Sequence, residues 1–431
     1  MIDNTPTVPT LDGFDAFSPE YIEDPQVFLQ RSHSECPVFY DEGLQMWVFT
    51  RYEDVSATFS DWQTFSSRAF RALPVPPELR DRVSEADERS AIAVLDANFI
   101  NIDPPKHTRE RKKAQKTFTR PRIAATEDRI RELSNELIDG FVERGACDLM
   151  QDFCYPLGLR VILDMIGLPP ERLPDMRTWI DDFFALMTPA NAADLDAPVD
   201  VTLPIGEIEM VYSRVGEATE FFKRFLDDRR ANPRDDLASA MVLATDDDGN
   251  PSMTYEQVLS HLIEITAAGS ETTASLIGHM VRLFSLNPDA LADVEADPSL
   301  WDNAIEEGLR RTSIGSHLMR ITTQDVEVAG IQIPAGSKVC LIPAGANADA
   351  DKFPDPLTFD VHRPNSKDHL AFGKGRHMCL GAPLARLEAR TAVQELYRRM
   401  PGLIADLETP LEFTVTMTVR GLAHLPVTWN R

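Results

Sequence analysis

Along most of this chain apolar residues recur at spacings of three and four. Ile130, Leu133, Leu137 and Phe141 form one such stripe. Leu380, Leu384 and Leu387, continued by Val393, Leu396 and Met400, form another near the end. That period sets one apolar face on a helix, so helices are predicted at both places. The longest apolar stretch, residues 258–286, predicts a long helix, interrupted by His261, Glu264, Glu271, His279 and Arg282. A membrane span wants about 20 largely apolar residues, so this helix belongs inside a protein. Alternation of period two appears between residues 326 and 341, where Val326, Val328, Ile331 and Ile333 take every second place around Gly330. Strands also fit residues 45–51 and 413–419. The predicted fold class is mainly α with a smaller β portion.

Two stretches break the periodicity. One holds Pro74, Pro76 and Pro77; the other, residues 188–205, holds Pro189, Pro198 and Pro204. Segments of this kind serve either as lids over a site or as surface insertions, and the pattern leaves both open. No repeat and no linker divides the chain. Its 431 residues would ordinarily suggest two or three domains.

Composition narrows the class of partner. With 43 Lys and Arg against 69 Asp and Glu, the net charge is −26, which argues against a nucleic acid or an anionic membrane as the main target. The five cysteines are odd in number and scattered, so no disulfide framework is implied. The first 25 residues carry no Lys or Arg and no apolar signal-like run. A cytoplasmic protein is expected.

Candidate chemistry concentrates in Phe372-Gly373-Lys374-Gly375-Arg376-His377-Met378-Cys379-Leu380-Gly381. Two glycines allow a tight turn, and a cysteine then sits just before a predicted helix, near its positive end. That placement favours a thiolate and suits a metal ligand, although most single cysteines are core residues. A second segment, Ala267-Ala268-Gly269-Ser270-Glu271-Thr272-Thr273, lies within the long helix, where a glycine costs about 1 kcal/mol relative to alanine. A third, Glu307-Gly308-Leu309-Arg310, puts an acid and a base on one helix face.

These segments, in this order, resemble the cytochrome P450 family, and residues 372–381 fit its haem-binding loop at every fixed position. The resemblance covers nearly the whole chain and is strongest to the soluble bacterial class. It implies a single domain over residues 1–431, without an attached reductase or ferredoxin domain. It also implies haem b buried between the long central helix and the cysteine loop with its C-terminal helix, and no flavin or iron–sulfur cluster in this chain. Cys379 would be the axial thiolate, which donates electron density to iron and favours O–O cleavage. Phe372, Gly373 and Gly381 would shape the loop. Ala268 and Gly269 would let the long helix pass close to haem and dioxygen, and Glu271 with Thr272 would deliver protons. Glu307, Arg310 and Arg363 match the family's structural Glu-x-x-Arg and its later arginine. His107, Arg111, Arg320 and His377 match its contacts to the haem carboxylates, which need polar partners once out of water. Two positions depart from the family pattern: Ser313-Ile314 replaces a Ser-Pro step, and Asn347-Ala348-Asp349 replaces Asn-Arg-Asp.

The implied activity is a haem-thiolate monooxygenase that hydroxylates or oxidatively dealkylates a small lipophilic substrate with dioxygen and two external electrons. A peroxide-driven peroxygenase and a non-catalytic haem-based sensor are the alternatives, and the Glu271–Thr272 pair weighs against both. Residues 106–122 hold eight basic side chains and one acid, Glu110, a local balance of +7. Lys112, Lys113 and their neighbours suggest docking of an acidic ferredoxin or flavodoxin that carries electrons from a reductase. A monomer is expected. Glu264 falls one turn before Ala268 and is either a hydrogen-bonding group for a substrate hydroxyl or amine, or a carboxylate paired to a neighbouring helix. Ser316, Leu318, Met417 and Thr418 are further substrate-contact candidates by position.

Overall fold

The computed structural model describes residues 8–72, 75–89, 92, 99–189, 205–245, 248–415 and 418–431. The chain forms two compact units. One takes residues 1–66, 130–156 and 272–431; the other takes residues 67–129 and 157–271. The long helix predicted from the apolar run spans Tyr255–Leu286, and the division between units falls within it, between Glu271 and Thr272.

The first unit holds a five-stranded sheet in the order Val38–Asp41, Met46–Phe49, Lys338–Leu341, Leu318–Thr322, Phe65–Ser66. Val339 pairs with Trp47 in parallel and with Arg320 in antiparallel register. Its apolar side packs Val38, Phe49, Val55, Phe59, Val339 and Leu341 into one buried cluster. Residues 326–333 form a separate hairpin, Val326–Val328 against Ile331–Ile333. Its two-residue turn has Ala329 at φ 51° and Gly330 at φ 80°, the sense of backbone twist that a tight hairpin requires.

Beside its sheets this unit holds several helices. Glu127–Asp139 buries Ile130 and Leu133 as the stripe predicts, but Ile138 is the buried residue of its last turn while Leu137 stays half-buried. Ala382–Arg399 buries Leu384, Val393 and Leu396. Trp301–Thr312 ends at Ser313, which takes the left-handed conformation (φ 44°). Ser313 keeps that conformation because its Oγ donates to the Arg310 carbonyl (3.1 Å) and accepts from Asn347 Nδ2 (2.8 Å). The two segments that depart from the Ser-Pro and Asn-Arg-Asp patterns are therefore joined through Ser313 and Asn347, the residues that keep those patterns.

The second unit holds the helices Lys106–Thr117, Leu173–Ala185 and Ile205–Ala231, the first part of the long helix, and the helix Tyr155–Ile166 from Leu157 onward. Two glycines permit a close crossing there. A Cβ on Gly158 would lie 2.7 Å from the Ser270 carbonyl oxygen, and one on Gly269 would lie 2.5 Å from Ile162 Cδ1. Gly269 thus has a packing reason to interrupt its helix, and the space its side chain would need belongs to Ile162. Thr188 and Pro189, expected to open an irregular stretch, instead belong to a strand, Met187–Pro189, that pairs with Phe70–Ala72. Pro77 opens a short 3-10 turn, Pro77–Leu79. Pro74, Pro198 and Pro204 lie outside the described residues.

The first unit is fastened by charge as well as by apolar packing. Glu307 and Arg310 have no exposed surface and Arg363 is 4% exposed. Arg310 donates from Nε and Nη2 to the two Glu307 oxygens, both at 2.8 Å, and Arg363 Nε donates to Glu307 Oε1 at 2.9 Å. Their remaining N–H groups reach the carbonyls of Asn347, Pro354, Asp355, Pro356 and Thr358. Every nitrogen of the two guanidinium groups has an acceptor, which is the condition for burying such charges. Removing one partner leaves a charge stranded. Arg363→Ala is expected to lower unfolding free energy by about 3–5 kcal/mol in denaturant titration, against little change for the exposed Arg109→Ala.

Candidate functional site

The cysteine loop is built by the first unit. Gly373 (φ 64°) and Gly375 (φ 70°) take the left-handed conformation, and a Cβ on Gly375 would sit 2.8 Å from the Phe59 carbonyl oxygen. The loop is thereby folded back onto the end of the helix Tyr52–Ser60. The Cys379 N–H donates to the Phe372 carbonyl at 2.9 Å, closing the loop, and the helix Ala382–Arg399 starts three residues on with Gly381 as its N-cap. Cys379 is exposed, whereas Cys154 and Cys340 are buried and Cys36 and Cys147 half-buried. A soft donor presented at the end of a glycine-turned loop and just ahead of a helix N-terminus fits a thiolate-ligated haem iron.

Other predicted residues of the first unit come together around the same sheet and loop. Arg320 lies on the strand Leu318–Thr322, is nine-tenths buried, and stacks its guanidinium over Phe59 at 5.5 Å. Its Nη1 donates to the Met319 carbonyl at 2.7 Å. His377 closes the 3-10 turn Gly375–His377. Ser316 and Thr418 are adjacent: Ser316 N–H donates to the Thr418 carbonyl at 3.0 Å, beside a bridge between Gly315 and Val419. The predicted strand 413–419 proves to be a hairpin of Phe413–Val415 with Arg420–Leu422. Thr418 sits in its connection, and Met417 lies outside the described residues.

In the second unit, the helix Lys106–Thr117 carries His107, which is buried, and Arg111, which is half-buried one turn later. Along the long helix almost every position from Val258 to Val281 is buried. Ala268 is exposed in the midst of it, and Gly269, Glu271 and Thr272 are half-exposed. An apolar helix opening at those residues presents a small-residue surface flanked by a carboxyl and a hydroxyl. Glu264 is buried, and its ionic neighbour is His261 on its own helix, with Nδ1 and Oε2 3.8 Å apart.

Burial raises the Glu271 carboxyl above its ordinary range. The nearby charge of Asp181 adds to the rise and that of Arg177 opposes it, both from the helix Leu173–Ala185. A carboxyl that holds its proton longer is suited to giving it up inside a site. The sequence did not single out Asp181 and Arg177. Nor did it single out Glu306, His369 and Arg386, which form a second ionic group beside the cysteine loop, with Glu306 and His369 buried and Arg386 half-buried. Their only sequence signal is a second acid directly before Glu307.

The chain matches the family described as Cytochrome P450 over residues 29–400. It is 33% identical to the cytochrome P450 monooxygenase PikC of Streptomyces venezuelae over 99% of this chain and 96% of that one. It is 32% identical to 6-deoxyerythronolide B hydroxylase of Saccharopolyspora erythraea, covering 89% of this chain and 90% of the relative. Among solved structures, cytochrome P450 CREJ in complex with (4-ethylphenyl) dihydrogen phosphate superposes with a TM-score of 0.81 at 29% identity, over 97% and 99% of the two chains. The chain belongs to the cytochrome P450 family and has its mainly α fold. It is a monooxygenase of that class, which implies haem. Among the described residues no helix is long and apolar enough to cross a membrane.

The Glu271 environment has a measurable consequence. A carboxyl raised in the folded state binds more protons there than when unfolded, so its contribution falls as pH rises above the ordinary 4.5. Glu271→Gln removes that cost. Relative to wild type, the variant is expected to be more stable at pH 7 than at pH 4 in denaturant unfolding, with equal pH dependence speaking against the raised carboxyl.

Proposed function

We propose that this chain is a haem-thiolate monooxygenase that hydroxylates a small lipophilic substrate, using dioxygen and two electrons from a separate acidic carrier. The observation that carries the proposal is Cys379, exposed at the end of the closed Phe372–Gly381 loop. Haem b held there would supply the reductive activation of dioxygen. Hydroxylation is better supported than dealkylation because a relative covering nine-tenths of the chain is named a hydroxylase.

Each group has a task that its position suits. Cys379 is the ligand, its loop closed by its own N–H on the Phe372 carbonyl and followed by a helix N-terminus that favours negative charge. His107, Arg111, Arg320 and His377 would meet the two haem carboxylates, and such partners are needed wherever charge leaves water. Ala268 offers a methyl where a larger side chain would cover the helix surface. The Thr272 hydroxyl orients a water, and Glu271 passes it a proton, which its raised carboxyl can release and recover. Ser316, Leu318 and Thr418 would contact substrate, and Glu264 would offer a hydrogen-bond acceptor to a hydroxyl or amine on it. A haem-bound single domain spanning the chain is part of the same reading. A peroxide-driven reaction would have less use for Glu271 and Thr272.

Electrons would enter by the helix Lys106–Thr117. Its one acid, Glu110, is buried and accepts from Lys113 at 3.3 Å. The exposed charges on this helix (Lys106, Arg109, Lys112, Lys116) are therefore all positive. Such a face steers an acidic ferredoxin or flavodoxin by long-range attraction.

Two measurements test this reading. The reduced, CO-treated protein should show the red-shifted Soret band of a thiolate ligand, and Cys379→Ser should abolish it; a normal band in that variant would exclude Cys379 as ligand. Lys112→Glu with Lys116→Glu should slow reduction by a ferredoxin at least about tenfold at low salt, with the difference shrinking as salt screens the charges. Equal rates across a salt titration would remove this helix from the docking surface.

A further inference from the structure

The helix Trp301–Thr312 carries two adjacent acids that reach different parts of the first unit. Glu307 serves Arg310 and Arg363. Glu306, 6% exposed, turns instead to the cysteine loop. Arg386, from the helix that follows the loop, donates Nε and Nη2 to the two Glu306 oxygens at 2.7 and 2.9 Å. His369, three residues before the loop, places Nε2 3.0 Å from Glu306 Oε2, and its Nδ1 accepts the Ala371 N–H at 3.1 Å. With the Nδ1 lone pair so occupied, the ring proton sits on Nε2 and points at the carboxylate. Burial alone would push Glu306 up, but the hydrogen bonds from His369 and Arg386 overcome it and hold its carboxyl down at about 2.

Both partners of Glu306 lie against the same side chain. The Arg386 guanidinium stands over the Phe372 ring at 4.6 Å, and the His369 ring centroid is 5.8 Å from it. Phe372 is the residue whose carbonyl receives the Cys379 N–H. A continuous chain of contacts therefore runs from Glu306 through Arg386 and His369 to Phe372 and on to the backbone of Cys379. At its centre lies an ion pair of fixed geometry, its acid buried and its base 30% exposed, so that solvent screens it only in part.

We propose that Glu306 is a positioning residue for the thiolate loop: it holds the Arg386 cation and the His369 ring against Phe372, and this charge pair sets the potential at which the Cys379-ligated iron accepts an electron. The inference rests on Cys379 being the ligand. A cation beside the loop favours the reduced state, which carries one more negative charge, and the Glu306 carboxylate tempers that effect.

The two charges should therefore act with opposite sign. In redox titration of the haem-loaded protein, Arg386→Met is expected to move the midpoint to more negative values and Glu306→Gln to more positive ones, with the thiolate Soret band retained in both. Shifts of the same sign, or none, would overturn the proposal and leave the group a plain structural brace. Absence of the thiolate band from the wild-type protein would instead overturn the assignment of Cys379. Where a variant does not take up haem, its haem-free form decides the matter by the rate at which the exposed Cys379 reacts with a disulfide reagent. That rate should fall severalfold in Arg386→Met and rise severalfold in Glu306→Gln, because the nearby charge sets the thiolate fraction; unchanged rates count against the proposal. Arg386→Gln, which neutralises the same charge with a hydrogen-bonding side chain, replaces Arg386→Met if that variant does not fold.

Discussion

A carboxylate taken out of water must be surrounded by donors, and two adjacent carboxylates impose that demand in two directions. Glu307 draws Arg310, Arg363 and the Asp360 N–H onto itself, and the arginines in turn bind five backbone carbonyls between residues 347 and 358. Glu306 draws in Arg386 and His369, on either side of the cysteine loop. Carbonyls of irregular backbone, with no helix or sheet to satisfy them, find their donors in these side chains. The segments on both sides of the cysteine loop are tied to one helix.

The long helix Tyr255–Leu286 solves a different problem. It must be apolar to be buried over most of its length, yet expose a short surface for chemistry. Small residues do this without breaking the helix. Gly269 admits Ile162 of the neighbouring helix, while Ala268 leaves the helix surface uncovered beside Glu271 and Thr272. The same burial that makes the helix stable raises the Glu271 carboxyl, so stability and acid–base character have one cause.

Charge is distributed with similar economy. A net charge of −26 would repel an acidic partner, but the single acid in the basic segment is buried under Lys113, so what faces solvent there is positive. Local arrangement, rather than the total, determines what such a surface can meet.

Much of the fold and of the candidate site was legible in the sequence because it rests on local rules. A long apolar run marked the long helix, the three-and-four spacing marked the C-terminal one, and alternation around Gly330 marked a hairpin. The turn chemistry of Gly373 and Gly375 marked the Cys379 loop, and spacing put Glu307 beside Arg310. Contacts between residues far apart in sequence had no such signature. Nothing local announces that Glu306 meets Arg386 eighty positions later, or that Asp181 bears on Glu271. The same holds for Gly269, whose missing side chain makes room for Ile162, and for Ser313, held left-handed by Asn347. By itself the sequence determined which segments are helix, strand and tight turn, and which side chains carry reactive groups, since those depend on neighbours a few residues away. Which charges are buried together, and what each does to its neighbour's acidity, was decided only by the tertiary structure, because electrostatic strength depends on distance and on the exclusion of water.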